Sequence, residues 1–252
     1  MKRIAVVTGA SSGMGKEFVR QLIESRLGLD EIWLIARRKE ILCKIVEEYP
    51  NQNFRLLPLD LEKEESWMIY QEELEKSHPA IRILINAAGY GMIGNTDEID
   101  VADQTGMIRL NCEALEAVTQ ISIPYLKRGS RIIQVASASA FLPQPGFNVY
   151  AASKAFVVSY SRALGRELRK REIYITAVCP GPVQTEFFDR AEKINHSPDY
   201  KKAFRASKEK VVAKALKDSK RKKSVSVYGF SMNMMRIGAK LIPHELLLKG
   251  YR

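Results

Sequence analysis

Tyr150 and Lys154 stand four residues apart, a spacing that puts both side chains on one face of a helix. A phenol with a pKa of about 10 is a poor base near neutrality. An ammonium beside it favours the phenolate and lowers that pKa. Such a tyrosine can give or take a proton while a carbonyl is reduced or an alcohol oxidised. Ser137 lies thirteen residues before Tyr150. Its hydroxyl could bond the reacting oxygen and stabilise the charge that develops there. Each feature alone has an ordinary explanation. Tyr-x-x-x-Lys pairs occur by chance on surface helices, and Ser137 could cap a turn, with Ser139 a competitor for its role.

The elements that must position these groups alternate. Short runs rich in Ile, Val and Leu (4–8, 31–36, 53–59, 82–86, 131–136 and 174–178) are apolar on both faces, as strands of a buried parallel sheet are. Helical patterns at 14–27, 39–49, 63–77, 101–127 and 149–171 separate them. In the last, Ala152, Phe156, Ser159, Ala163 and Leu164 read as the small and apolar stripe. The alternation predicts an α/β fold, a single doubly wound parallel sheet with helices on both faces. No repeat or low-complexity linker divides the chain. One Rossmann-like domain over 1–252 is therefore expected, with 1–185 as cofactor-binding and catalytic core and 186–252 as substrate loop and C-terminal segment. In such sheets ligands bind at the carboxyl ends of the strands.

Gly9, Ser11, Ser12, Gly13, Met14 and Gly15 follow the first strand and open the first helix. Glycine permits a sharp turn and close backbone approach to a phosphate, and free N–H groups at the helix start hold the anion. The spacing is neither GxGxxG nor a P-loop, since no Gly-Lys-Ser/Thr follows. The second strand ends at Ala36, and Arg37, Arg38 and Lys39 come next. An acidic residue there would bond the ribose of NAD. Arginines instead suit the extra phosphate of NADP, and cations sit poorly at a helix start without an anion. NADPH is expected over NADH.

Four separated segments now stand in order: Thr8–Gly15 as TGxxxGxG, Asn86-Ala87-Ala88-Gly89, Ser137 with Tyr150-x-x-x-Lys154, and Pro180-Gly181-Pro182-Val183-Gln184-Thr185. Together they resemble the short-chain dehydrogenase/reductase family over nearly all of residues 1–190. The resemblance implies an oxidoreductase of CH–OH groups, of the NADP-preferring carbonyl reductase type, with Tyr150 as acid/base. Lys154 would bond the nicotinamide ribose and lower the tyrosine pKa, and Ser137 would position the carbonyl. Asn111 would support a proton-relay water beside the lysine. Asp60 and Leu61 would meet the adenine. Asn86 would hold the central strand and, with Ala87 and Gly89, would meet the cofactor, to which Gly89 would give backbone access. Pro180, Gly181, Val183 and Thr185 would meet the nicotinamide carboxamide and the pyrophosphate region. Outside the resemblance, Asn111 could be an ordinary buried amide and Asp60 a helix cap. Many members have Ser-Ser where this chain has Ala136-Ser137, which keeps the serine at the catalytic position. Ketoreductases of fatty-acid elongation commonly end in a strand and Asp-Gly-Gly. Here a strand at 224–227 is followed by Tyr228-Gly229-Phe230, which weakens the alternative of a 3-oxoacyl-carrier-protein or CoA reductase. A non-catalytic NADP-binding sensor or interaction protein is the other alternative, disfavoured because a pure binder does not need Asn111, Ser137, Tyr150 and Lys154 together.

Phe187 and Phe188, then Ile194 and Tyr200, occupy the family's variable substrate region. Phe141, Leu142, Pro143, Pro145 and Phe147 lie between Ser137 and Tyr150. With Phe141, Phe187 and Phe188 as substrate contacts, a hydrophobic, steroid- or lipid-like carbonyl is expected; ordinary loop packing is the competing explanation.

The chain has 252 residues and a net charge of +11, a balance that invites a nucleic-acid or membrane reading. Its distribution removes the charge from the chemistry. Residues 1–200 carry 25 Lys+Arg and 26 Asp+Glu, while residues 201–252 carry 15 and 3. Met232, Met234, Met235, Ile237, Leu241 and Ile242 are expected to form one apolar helical face ended by Pro243. That segment reads first as a solvated cationic surface with a helix that lids the pocket or meets another subunit. Association with a membrane surface comes second. No nucleic-acid partner is expected, because no recognition motif is present. Composition that is 46% hydrophobic and 27% charged excludes a disordered chain. No run of about 18 apolar residues predicts a membrane span, and the apolar stretch after Lys2-Arg3 is too short for a signal peptide. Cys43, Cys112 and Cys179 are an odd, scattered set that fits a reducing, cytoplasmic setting with neither a disulfide framework nor a cysteine-based zinc site, and no metal. A homodimer or homotetramer is the expected assembly.

Overall fold

The computed structural model describes residues 1–25, 27–196 and 205–249. Seven parallel strands form one sheet in the order β3-β2-β1-β4-β5-β6-β7. They are β1 (Arg3–Thr8), β2 (Glu31–Ile35), β3 (Phe54–Leu57), β4 (Ala80–Asn86), β5 (Leu126–Val135), β6 (Tyr174–Val178) and β7 (Val225–Ser226). The order reverses between β1 and β4, whose last residues Thr8 and Asn86 are paired. A crevice therefore opens there, at the carboxyl ends of the strands.

Side chains alternate across a strand, and this alternation builds two cores. Ile4 and Val6 of β1, with Trp33 and Ile35 of β2, face one layer. Its helices are α3 (Glu64–Ser77), α5 (Ala114–Ser122) and α6 (Asn148–Glu167), which contribute Tyr70, Leu74, Val118 and Leu164. Ala5, Val7, Ile32 and Leu34 face the other. That layer holds α1 (Gly13–Glu24), α2 (Lys39–Glu48) and α8 (Lys208–Lys220), with Phe18, Leu42 and Val212 inward. The remaining α-helices among the described residues are α4 (Val101–Ile108), α7 (Phe187–Ala191), α9 (Phe230–Leu241) and α10 (His244–Leu248).

Several expected boundaries and faces change. The helix expected over 101–127 is interrupted by a π turn at Arg109–Glu113 and ends in a 3-10 turn at Ile123–Tyr125. The π turn inserts an extra residue, which a 3.6-residue period does not register. Pro124 stops the helix, and β5 begins at Leu126. The α6 stripe is also placed differently. Tyr150, Ala151, Ser153, Lys154, Val157, Ser161 and Leu164 are the buried positions. Of the expected stripe only Leu164 is buried, while Ala152, Phe156, Ser159 and Ala163 are exposed. The helix turns its polar, chemistry-bearing face inward, because that is the face opposite the crevice and β6.

The basic segment is partly neutralised within the fold. Asp218 of α8 is buried and accepts from Lys214 at 2.7 Å and from Ser226 of β7 at 2.8 Å, and Lys223 lies 3.0 Å away. This cluster ties α8 to the edge strand. Lys201–Phe204, like Tyr200, lie outside the described residues.

Candidate active site

One cavity of about 670 Å³ lies along the carboxyl ends of the strands. Its first wall is the loop after β1. Gly9 and Gly13 have φ of +66° and +51°, a region that disfavours side chains. A Cβ on Gly9 would come within 2.7 Å of the Ala88 nitrogen, and one on Gly15 would collide with the Gly9 carbonyl oxygen. Glycine is therefore required for backbone packing here as well as for ligand approach. Thr8 continues the cradle, since its hydroxyl accepts from the Ala87 and Ala88 N–H groups at 3.1 Å each. No side chain among the described residues caps α1 at Ser12, and its first turn carries no acid. Its N–H groups face the cavity as an anion site. A dinucleotide's phosphates fit this arrangement.

Arg37 and Arg38 line the same end, with Asp60 and Leu61 beside them. The Arg38 guanidinium donates to Ser11 at 3.2 Å and lies 3.7 Å from Glu186. Arg37 lies 3.6 Å from Glu62. Asp60 accepts from the Glu62 N–H rather than capping α3, whose first turn follows Lys63. Asn86 does not reach the cavity. It is buried, and its amide donates to Thr119 and Gln134 at 2.9 Å each, so it holds β4 to its neighbours and is corrected from a direct cofactor contact.

At the other end, Ser137, Tyr150 and Lys154 converge on the cavity. Ser137 caps the 3-10 turn Ala138–Phe141, accepting from the Ser139 N–H at 3.1 Å. The Lys154 ammonium donates to the Val135 carbonyl at 2.9 Å. The electrostatics correct the expected phenolate. Burial pushes Tyr150 up to about 12, against the Ser137 hydroxyl that pulls it down. Lys154 is 5.7 Å from the centre of its ring. Burial pushes the lysine down to about 8. Desolvation disfavours both charged forms, so this geometry favours a protonated tyrosine, a proton donor, over a phenolate.

Asn111 sits in the π turn, fully buried. It accepts from the Tyr90 N–H at 3.0 Å and donates to the Tyr90 carbonyl at 2.9 Å and to Ser153 at 3.0 Å. Ser153 in turn donates to the Tyr150 carbonyl. The asparagine side chain therefore fastens the segment after β4 to α6. Gly89 lies against it: a Cβ there would come 2.7 Å from its Oδ1 and 3.2 Å from the Lys154 nitrogen.

The far wall is apolar. The Tyr150 ring stacks on Phe147, with centres 4.3 Å apart, and meets Phe187 at 5.4 Å. Phe187 and Phe188 line the cavity, but Phe141 does not. The 3-10 turn carries it onto an apolar cluster with Leu115, Val157 and Cys179, which corrects its assignment as a substrate contact. Leu142 and Phe147 line the cavity instead. The lining also includes Tyr90, Gln144 and Arg190, which the sequence did not single out. Arg190 stacks on the Tyr90 ring at 3.3 Å and pairs with Asp103 at 3.3 Å. The only available signal was the position of Arg190 two residues after Phe188. Pro180, Gly181, Val183 and Thr185 line the cavity as well, and Met232 and Met235 of α9 close it.

A family model described as short chain dehydrogenase matches residues 3–195. The chain belongs to this family. It is thus an oxidoreductase of CH–OH groups with a nicotinamide dinucleotide as cofactor. Sulfoacetaldehyde reductase 2 of Chromohalobacter salexigens is 32% identical over 193 residues, 74% of this chain and 75% of that one. An uncharacterized oxidoreductase of Staphylococcus epidermidis is 30% identical over 186 residues, 73% and 79% of the two chains. A solved short-chain dehydrogenase from Sphingobium yanoikuyae in complex with NADPH has a TM-score of 0.79 at 25% identity, with 96% of both chains covered. A family member from Burkholderia phymatum, solved with NAD, shares the fold with a TM-score of 0.79 at 20% identity over 95% of both.

Among the described residues, no helix is long and apolar enough to cross a membrane.

Proposed function

We propose that this short-chain dehydrogenase is an NADPH-dependent carbonyl reductase for hydrophobic ketones or aldehydes, running in reverse as an alcohol dehydrogenase. The observation that carries the reading is the convergence of Ser137, Tyr150 and Lys154 beside an aromatic wall in the cavity that also holds the glycine loop. The reduced nicotinamide, when bound, supplies the hydride to the carbonyl carbon. Ser137 holds the carbonyl oxygen with its hydroxyl. Tyr150 gives its proton to that oxygen as negative charge develops, and recovers one from solvent afterwards. A phenol held neutral by burial suits the donating direction. Lys154 would hold the cofactor ribose, and its charge supports the transient phenolate. Asn111 is a positioning residue that keeps Tyr90 and α6 in place.

Preference for NADPH rests on Arg37 and Arg38 at the adenosine end, where guanidinium groups suit a ribose phosphate. Glu62 and Glu186 lie near these arginines and would yield them to the stronger anion. A hydrophobic substrate rests on Leu142, Phe147, Phe187, Phe188 and the two methionines. A small anionic aldehyde is the second reading, favoured by Arg190 on the cavity wall and by the likeness to a sulfoacetaldehyde reductase. It ranks second because the guanidinium is already committed to Asp103 and the Tyr90 ring.

Tyr150→Phe removes one oxygen and leaves the stacking on Phe147. Turnover should fall by roughly 100-fold or more, the scale of a lost general acid, while the dissociation constant for NADPH, read by fluorescence titration, stays within about threefold, under 1 kcal/mol. Turnover at the wild-type rate would overturn the assignment of Tyr150.

A further inference from the structure

Helix α9 carries two apolar faces. On the inner one, Met232 and Met235 line the cavity, and Met232 is so close to Gly181 that a Cβ there would lie 2.7 Å from the sulfur. On the outer one stand Phe230, Met234, Ile237 and Leu241, exposed by 82%, 50%, 51% and 76%. Their spacing of four, three and four residues places them in one stripe along the helix. Ile242 and Leu246, exposed by 43% and 58%, follow it in the chain, the latter in α10. The single apolar face expected from the sequence is thus split in two. A helix that only roofed a cavity would present polar residues to water.

Charge says what this outer face meets. Phe230–Leu241 contains no acidic residue, and its polar flank holds Asn233, Arg236 and Lys240. Lys249 follows, against Glu245. The last 52 residues carry 15 basic and 3 acidic side chains, whereas the first 200 are nearly neutral. An apolar stripe edged by cations is the pattern of a helix lying in a lipid headgroup layer. A second copy of the chain would bring the same cations against one another. At 12 residues the helix is about 18 Å long, suited to lying on a bilayer and too short to cross one of about 30 Å.

We propose that the outer face of α9 docks on an anionic lipid surface while its inner face closes the cavity. The proposal is independent of the catalytic reading, because its test reads binding alone. The full chain is sedimented with phosphatidylcholine vesicles, with and without phosphatidylserine, at increasing salt. The chain should pellet with the phosphatidylserine vesicles and stay in solution with the neutral ones, and salt should release it. Ile237→Glu with Leu241→Glu should lower vesicle partition at least about tenfold. Arg236→Ala with Lys240→Ala should lower it by on the order of tenfold at low salt and by less at high salt. Intact NADPH binding would show that each variant is folded, and the charge pair keeps the test open if the glutamate pair does not fold. Wild-type protein that remains in solution with both vesicles would overturn the proposal. So would partition unchanged in both variants. A lipid-free dimer that the glutamate pair dissociates, from a wild type that ignores vesicles, would assign the face to a second copy instead.

Discussion

The two ends of the cavity are built on different principles. At the cofactor end, backbone approaches backbone. Gly9 and Gly15 have no room for a Cβ, and Thr8 bonds two successive N–H groups of the Ala87–Ala88 segment. At the substrate end, side chains meet side chains: Phe147, Phe187, Phe188, Met232 and Met235 fill space with interchangeable apolar surface. A cradle of main chain tolerates no change of shape, whereas a wall of aromatics and methionines can repack. The shared chemistry of a nicotinamide cofactor belongs with the first and the individual substrate with the second.

The strongest way to break this contrast is at glycine. Gly15→Ala should cost at least about 100-fold in NADPH affinity, or abolish folding, because the new methyl meets the Gly9 carbonyl and the loop must open. Gly238→Ala in α9, where nothing lies within 4 Å of the new Cβ, should leave affinity unchanged and raise stability by about 0.5–1 kcal/mol through helix propensity. Fluorescence titration and thermal melts would read both. Equal tolerance at the two glycines would erase the distinction.

The next effect lies in cofactor choice. Arg37→Ala with Arg38→Ala should lower the preference for NADPH over NADH in kcat/KM by roughly 10- to 100-fold, since each guanidinium bond to a phosphate contributes about 1.5–3 kcal/mol at most. An unchanged ratio would place selectivity elsewhere.

Lys154 has an effect on stability opposite in sign to its effect on activity. Its pKa is lower folded than unfolded, at about 8, so the unfolded chain binds the extra proton. Stability from this group therefore rises with pH between about 8 and the unfolded value near 10.5. Below pH 8 the buried charge is a burden. Lys154→Met should stabilise the cofactor-free protein at pH 7 by roughly 1–3 kcal/mol, flatten that pH dependence, and lose turnover. Denaturant melts across the pH range would check it; a less stable variant at pH 7 would show that the bond to Val135 outweighs desolvation.

How much was legible in the sequence follows the same division. The doubly wound sheet could be read because its strands are apolar on both faces, and Ile4–Val7 feed two cores in alternation. The glycine loop could be read because its constraints are local and covalent. The direction of individual side chains was less legible. Phe141 turns away from the cavity on a 3-10 turn, Phe156 faces solvent, and the apolar residues of α9 divide between two opposite faces. Periodicity tells which residues share a face but not what that face meets. The π turn around Asn111 shifts register by a residue that no composition reveals. The raised pKa of Tyr150 depends on burial by Phe147 and Phe187, which spacing from Lys154 alone could not convey.

The central claim is that the cradle presents NADPH to a hydrophobic carbonyl. Its most direct test is NADPH consumption by the full chain across ketones and aldehydes graded by apolar surface, with sulfoacetaldehyde included and the alcohol product quantified. The account predicts one alcohol formed per NADPH consumed, with kcat/KM rising with apolar surface up to the size of the cavity. No NADPH consumption with any carbonyl, or the highest kcat/KM with the small anionic aldehyde, would contradict it.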